Sequence, residues 1–346
     1  MSVLSLEGAD VAVLGATSRV GAEIVRLLAE HPRFNIRALI VPEHAAGSMS
    51  GVYPHLAGVS LPRPIPPEAQ DWSQVDLVFG ALADGSETAI LAGLPDTVRI
   101  VDTAASLCAT GAGQRRGREV ARAPEPAPNA VCGLTEFFRS EIPAARMVGN
   151  PGALATAVEL ALVPLIEALA IDPGEITIDI KAAAGALSRP GPSGATAGAV
   201  EDVGFAGTDH DAAEIELALS RAAGRSVVPS LAIHRVPTGR GVLATLYVKF
   251  VRGHMVEDLH HILTGRFLTE RFVDVLPFGR APDFGHVRGA NRALIGVLRD
   301  RRPGRAILAV ALDDLMKGSA GQAVQNANLM MGFDEGLGLT RIGHFP

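Results

Sequence analysis

The stretch from Asp10 to Pro32 limits the possible folds more than any other part of the chain. It reads DVAVL, then GATSRVG, then AEIVRLLAEHP. The first run is short and apolar, as a buried strand is, and the last spaces its apolar residues as a helix does. Strand, glycine turn and helix in that order open a doubly wound α/β sheet of the Rossmann type. Gly15 permits the tight turn, and Gly21 lets the helix pack close to the strand. Thr17, Ser18, Arg19 and Val20 then stand at a helix N-terminus, whose free N–H groups favour a pyrophosphate. Arg19 adds a cation. Ser18 stands near the place of the usual middle glycine, so glycines serving only packing are the alternative reading of the motif by itself.

The next segments keep the alternation. NIRALIV (Asn35–Val41), DLVFGAL (Asp76–Leu82), RIVD (Arg99–Asp102) and Arg146–Gly149 read as strands. Ser86–Ala92 and Cys132–Ile142 read as helices, and Asp102–Pro128 as a long Ala-, Gly- and Pro-rich loop. The expected fold class is therefore α/β, a parallel sheet built from residues 1–149. An acid about 20 residues past a glycine loop marks an NAD ribose site. Val41-Pro42 occupies that strand end with Glu43 just after, which leaves the choice of NAD or NADP open.

Met147–Leu160, MVGNPGALATAVEL, joins this half to the next. Asn150, Pro151 and Gly152 make a tight turn, and a helix starts near Ala153 and runs to about Ala170. A residue placed there lies at a helix N-terminus, where a thiolate would be stabilised. The residue present is alanine, which is no nucleophile. Beyond it, strands lose their regular alternation with helices. Glu175–Lys181, Leu231–Arg235, Val242–Val251, Phe272–Leu276, Arg292–Leu298 and Ala306–Leu312 read as strands. Ala212–Ala222, Met255–Leu263 and Ser319–Met331 read as helices, and Ala182–Asp211 as a loop. A mixed or antiparallel α+β domain follows.

A chain of 346 residues is long enough for two domains. Its net charge is −6 and it has no long basic run, so no nucleic-acid partner is expected. Arg115, Arg116 and Arg118 read as a solvated loop. The apolar run at Ala153–Ala170 holds Glu159, Pro164 and Glu167, which favours a buried amphipathic helix over a membrane span. The first ten residues have no basic leader and there are two cysteines, so a cytoplasmic protein without a disulfide framework is expected. His254, His260 and His261 lack metal-site spacing, and no metal is expected.

Five blocks together resemble the N-acetyl-γ-glutamyl-phosphate reductase family of the semialdehyde dehydrogenase superfamily. They are GATSRVGAEIVRLLAEHP, VGNPGALATAVELALVPLIEAL, PTGRGVLATLYV, VRGANRALIGV and KGSAGQAVQNANLMMGF. The resemblance implies NADP as cofactor, a dimerising catalytic domain over residues 150–315, and a C-terminal helix within 316–346 returning to the first domain. It implies a homodimer or homotetramer acting on a small acylated amino-acid phosphate or related carboxylate. The chemistry it implies is thiolate attack on an acyl phosphate, loss of phosphate, and hydride delivery to the thioester, giving an aldehyde.

The departures fall at the implied site. The family's cysteine after Asn-Pro-Gly is Ala153 here. Its Asp-Phe-Arg reads Ser106-Leu107-Cys108, and its Tyr-Gly-Leu-Pro-Glu reads Cys132-Gly133-Leu134-Thr135-Glu136. Its Pro-His-Gly reads Ala83-Asp84-Gly85. His210 stands near the family's basic histidine, shifted by one residue. Asn150 is a substrate-binding candidate. Arg235 and Arg240 flank a Pro-Thr-Gly turn and are candidates for a substrate carboxylate or phosphate. Gln322 and Asn326 are cofactor-binding candidates, with helix packing as the other reading; Cys108 and Cys132 are further thiols. Because several positions change together, divergence fits better than a single inactivating replacement at Ala153. Two functions stay open: an NADP-dependent reductase, inactivated or with altered chemistry, and a non-catalytic binding or partner subunit on the same fold.

Overall fold

The computed structural model describes residues 8–42, 47–82, 88–103, 130–183, 186, 201–205 and 210–344, with side chains left aside at 88, 201–205 and 210. In chain order the main elements are β1 (Ala9–Leu14), α1 (Arg19–Ala29), β2 (Phe34–Ile40), α2 (Met49–Val52), β3 (Leu77–Gly80), α3 (Thr88–Ala92) and β4 (Arg99–Asp102). Then come β5 (Ala130–Cys132), α4 (Thr135–Phe138), β6 (Met147–Gly149), α5 (Ala153–Glu167), β7 (Thr177–Ala183), β8 (Glu201–Phe205) and α6 (His210–Ala223). The chain closes with β9 (Ser230–Val236), β10 (Val242–Lys249), α7 (Val256–Phe267), β11 (Val273–Val275), β12 (Ala293–Arg299), β13 (Arg305–Leu312) and α8 (Gly321–Met330). Among the described residues one compact unit runs to Asn150 and takes back Ala320–Leu339; the other holds Pro151–Ser319 and residues 340–344.

The first unit is built on a six-stranded sheet in the order β2-β1-β3-β4-β6-β5, parallel throughout. β3 is buried at all four residues and β1 at five of six, as strands covered on both faces must be. Ala12, Leu14, Ala38, Ile40, Val78 and Ile100 form the core on one side, with Leu91 and Leu94 over them. The carboxyl ends of β1, β4, β5 and β6 lie along one edge, where open parallel sheets bind their ligands.

Two sequence expectations fail in local detail. Cys132–Ile142 is not one helix. Ala130–Cys132 is a strand, because Val131 and Cys132 pair with Val148 and Gly149, and Gly133 N–H continues the ladder to the Gly149 carbonyl at 2.7 Å. Only Thr135–Phe138 is α-helical, followed by a 3-10 turn at Ile142–Ala144. Cys132 is disulfide-bonded, against the expectation from the cysteine count. Pairing in space left no mark in the spacing along the chain.

The second unit holds a mixed seven-stranded sheet, β11-β12-β13-β10-β7-β9-β8. β10 explains its shape. Val242, Ala244, Leu246 and Val248 are buried, while Leu243, Thr245 and Tyr247 are half-buried on the opposite face. In register beside them on β7 are Lys181, Asp179 and Thr177. α5, α6 and α7 belong to this unit, and α5 packs against β10, β13, α6 and α7. Ala182–Asp211 is not one loop: β7 extends to Ala183, and Glu201–Phe205 is an edge strand antiparallel to β9. Polar residues and glycine in EDVGF hid that strand from the period-two pattern.

α5 is buried on every face from Ala153 to Ile166, so it is a central core helix and not the amphipathic one expected. Its C-terminus closes on two hydrogen bonds, Leu169 N–H to Ile166 carbonyl and Ala170 N–H to Leu165 carbonyl, both 2.9 Å. Leu169 at φ 55° sits where glycine is usual. No helix among the described residues is long and apolar enough to cross a membrane.

Candidate functional site

The loop after β1 is shaped by backbone constraints. Gly15 has φ +80°, and a Cβ there would come within 2.9 Å of the Ala81 carbonyl group and of Leu82 Cδ2. Gly15 and Ala16 N–H both donate to the Ile40 carbonyl, at 2.9 and 3.2 Å, which anchors the loop to the end of β2. Ser18 caps α1: its Oγ accepts from Gly21 N–H at 2.9 Å. A Cβ on Gly21 would overlap the Gly15 carbonyl oxygen, so the helix approaches the turn as closely as a glycine allows. Thr17 and Ser18 are half-buried and Arg19 is exposed beside the first turn. A loop that an added Cβ would fill, ending on a capped helix N-terminus, fits a dinucleotide pyrophosphate.

Tyr53, which carried no sequence signal, pins this loop. Its hydroxyl donates to the Thr17 carbonyl at 3.0 Å. Burial raises the Tyr53 pKa and the Arg19 charge partly opposes that, so Arg19 lies within electrostatic reach of the ring. Glu43, at the end where a ribose acid would stand, lies outside the described residues.

At the carboxyl ends of β5 and β6 the structure gathers three expected site residues with two others. Asn326 Nδ2 donates to the Gly133 carbonyl at 2.7 Å and to Asn150 Oδ1 at 2.8 Å. Gln322 Nε2 donates to the same carbonyl at 2.7 Å and to Thr135 Oγ1 at 2.6 Å. Thr135 Oγ1 in turn donates to Asn326 Oδ1 at 2.7 Å. Thr135, Asn150, Gln322 and Asn326 are all buried. Asn150 N–H donates to the Asp102 carbonyl at 2.8 Å, which ties the network to β4 as well.

In the second unit, Pro151 and Gly152 lead into α5, and Ala153 is its first residue, 8% exposed. Gly152 offers no capping side chain. Its N–H donates instead to the Glu214 carboxyl of α6, with oxygens at 3.1 and 3.3 Å. Asp211 lies on the same side; a Cβ on Gly152 would be 3.0 Å from Glu214 Oε2 and 3.5 Å from Asp211 Oδ1. Glu159, two turns along α5, is buried too. Burial raises the Glu214 pKa well above the usual carboxyl range; neighbouring Glu159 and Asp211 add to the rise and the Gly152 N–H opposes it. Burial pushes Glu159 to about 8 against a weaker pull from Arg221. Thr156 Oγ1 is buried with no hydrogen-bond partner among the described residues. Gly318 faces position 153: a Cβ on it would be 2.6 Å from Ala153 Cβ.

Three further candidates, His210, Arg235 and Arg240, belong to the second unit. His210 opens α6, and its side chain lies outside the described residues. Arg235 is buried on β9, in register with Ala182 of β7. Arg240 is held by Asp313, whose Oδ1 accepts from its Nε at 3.1 Å and its Nη2 at 2.9 Å. Asp313 is fully buried and also accepts from the Gly289, Leu315 and Met316 N–H groups. Cys108, Ala83–Gly85 and Arg115–Arg118 lie outside the described residues. Among the described residues no three His, Cys, Asp or Glu side chains are grouped to hold a metal ion. Asp211, Glu214 and Glu159 were missed from the sequence. Their signal was present in Glu159, set between apolar residues in the middle of ALATAVELALVPLIE, and in the one-turn spacing of Asp211 and Glu214.

Residues 10–145 match the family described as semialdehyde dehydrogenase, NAD binding domain, and residues 154–314 match its dimerisation domain. An N-acetyl-gamma-glutamyl-phosphate reductase of Rhodospirillum rubrum is 40% identical over 350 residues, covering 98% of this chain and 99% of its own. One from Cereibacter sphaeroides is 41% identical, covering 97% and 99%. Among solved structures, aspartate semialdehyde dehydrogenase II of Vibrio cholerae superposes with a TM-score of 0.67 at 16% identity, covering 94% of this chain and 99% of that one. The aspartate semialdehyde dehydrogenase of Candida albicans, solved with NADP, gives 0.63 at 17% identity, covering 94% and 98%. These two share the fold. With both family domains matched in order and reductases aligned end to end, the chain belongs to the semialdehyde dehydrogenase family, among the N-acetyl-gamma-glutamyl-phosphate reductases.

Proposed function

We propose that this chain binds NADP(H) and an acylated amino-acid phosphate or related carboxylate, as a semialdehyde-forming reductase does, and that Ala153 stops it short of the covalent step. The observation that carries the cofactor half is the Gly15–Gly21 loop, whose close backbone approach and capped helix end suit a pyrophosphate. The bound dinucleotide would supply the hydride. The chain's own residues do the rest. Ser18 occupies the Gly21 N–H, so the first-turn amides of Arg19 and Val20 serve the phosphates. Asn150, Arg235 and Arg240 hold the substrate's polar groups, and His210 takes the place of the base. Gln322 and Asn326 order the cofactor edge of the sheet. Residues 1–149 carry the cofactor, 150–315 the substrate, and α8 within 316–346 supports the first domain. The cytoplasm is the proposed compartment.

Calorimetric titration with NADPH and NADP⁺ tests this reading. The unmodified chain should bind NADPH with a micromolar dissociation constant, and Gly15→Val should weaken binding by about a hundredfold or more, since valine at φ +80° with a carbonyl at 2.9 Å displaces the loop. No binding by the unmodified chain at millimolar NADPH would reject it.

The dimerisation domain implies self-association, and we propose a homodimer or homotetramer formed on the sheet face that bears Leu243, Thr245 and Tyr247. Multi-angle light scattering at micromolar concentration should give twice or four times the 35.9 kDa chain mass. A monomer would overturn the assignment.

A further inference from the structure

The geometry points to Thr135 as a positioning residue that fixes the sense of the Asn150 carboxamide at the ligand edge of the first unit. Asn326 links the two, and its amide has only one workable orientation. Its NH2 faces two acceptors, the Gly133 carbonyl and Asn150 Oδ1, and its oxygen faces the Thr135 hydroxyl. Turned over, the Asn326 oxygen would meet two other oxygens inside a buried site. Among the described residues Thr135 donates to that oxygen, and because Gln322 Nε2 donates to the Thr135 oxygen, the hydroxyl hydrogen is left for Asn326. The chain of donation therefore runs Gln322 to Thr135 to Asn326 to Asn150. Its direction is set by the Gly133 carbonyl, which accepts from both Gln322 Nε2 and Asn326 Nδ2.

Space is closed around the network. A Cβ on Gly133 would come 2.5 Å from Asn326 Nδ2 and 2.9 Å from Asn150 Oδ1. Asn150 is thus held through its side chain as well as through its N–H bond to Asp102. With its oxygen turned to Asn326, the Asn150 carboxamide has its NH2 on the side away from Asn326. Asn150 is the last residue before the Pro151-Gly152 turn, so the clasp also fixes the chain where it leaves β6.

The substrate-facing role of Asn150 rests on the proposed function; the orientation does not. The test is side-chain amide hydrogen exchange by nuclear magnetic resonance on the full chain, in Thr135→Val and Thr135→Ser. Valine keeps the shape and removes the hydroxyl. Asn326 and Asn150 NH2 exchange should then quicken by about tenfold or more, the scale for losing a buried hydrogen-bond partner. The backbone amides of Val13 and Val78 should keep their protection, which separates a local change from unfolding. Serine restores the hydroxyl and should restore slow exchange. Unchanged Asn326 and Asn150 exchange in Thr135→Val, or no recovery in Thr135→Ser, would overturn the assignment. Failure of NADPH binding by the unmodified chain would instead strike the functional reading and leave the exchange result standing.

Discussion

Ala153→Cys is expected to raise NADPH-dependent reduction of an acyl phosphate by several orders of magnitude over the unmodified chain. The unmodified chain should show almost none. Attack on the acyl carbon with loss of phosphate needs a nucleophile, and a methyl group has no electron pair to give. The surroundings of position 153 suit a thiolate. It is the first residue of a fifteen-residue helix, where unpaired N–H groups and the helix dipole lower a thiol pKa. Glu214, whose carboxyl accepts from the Gly152 N–H at that end, has its pKa raised by burial, which weakens the negative charge it sets against a thiolate. Gly318 packs closely against this position: a Cβ on it would come 2.6 Å from Ala153 Cβ.

A second condition bears on the size of the rescue. By the family resemblance, Cys108 stands where an arginine grips anionic substrate. The double variant with Cys108→Arg should therefore recover more than Ala153→Cys alone. In the unmodified chain Cys132 does not substitute for the missing thiol, because it is disulfide-bonded. Initial rates of NADPH oxidation with N-acetyl-γ-glutamyl phosphate decide the matter. Normal turnover by the unmodified chain would show that catalysis here needs no sulfur at position 153. No rescue by the double variant would favour a binding or partner role.

What could be read from the sequence is what local physics determines. Gly15 and Gly21 announced the first unit because only glycine fits their backbone approach, a requirement that acts over six residues. The alternation in VLATLYVK announced β10 because one face of that strand is buried and the other is not. The site proper is assembled across long separations that no window shows. Asn150 meets Asn326 at 176 residues' distance, and Thr135 meets Gln322 at 187. Gly152 and Glu214 are 62 apart. The glycine cap of α5 reads locally as an uncapped helix; the carboxyl that completes it comes from another helix. β5 was hidden for a similar reason. Three residues make a strand only because β6 stands next to them.

Glu159→Gln should stabilise the protein at pH 8 by about 2–5 kcal/mol and flatten its pH dependence. Glu159 lies in a helix buried on every face, 5% exposed, and burial lifts its pKa from the ordinary 4.5 to about 8. The folded state therefore holds this proton more tightly than the unfolded chain does. A group of this kind contributes its full stability below the unfolded pKa and loses it as pH rises through the folded one. The decline should run from about pH 4.5 to about pH 8 and level off above. Glutamine keeps the shape and hydrogen-bonding reach of the protonated acid and has no proton to lose. The two proteins should then be equally stable near pH 4 and diverge as pH rises. Part of the slope should survive in the variant, because Glu214 is raised for the same reason, though by less once Glu159 no longer faces it. Urea unfolding at intervals from about pH 4 to about pH 9 measures the difference directly. A variant less stable than the parent at pH 8 would mean that Glu159 is ionised and that its attraction to Arg221 outweighs burial, which reverses the assignment made here.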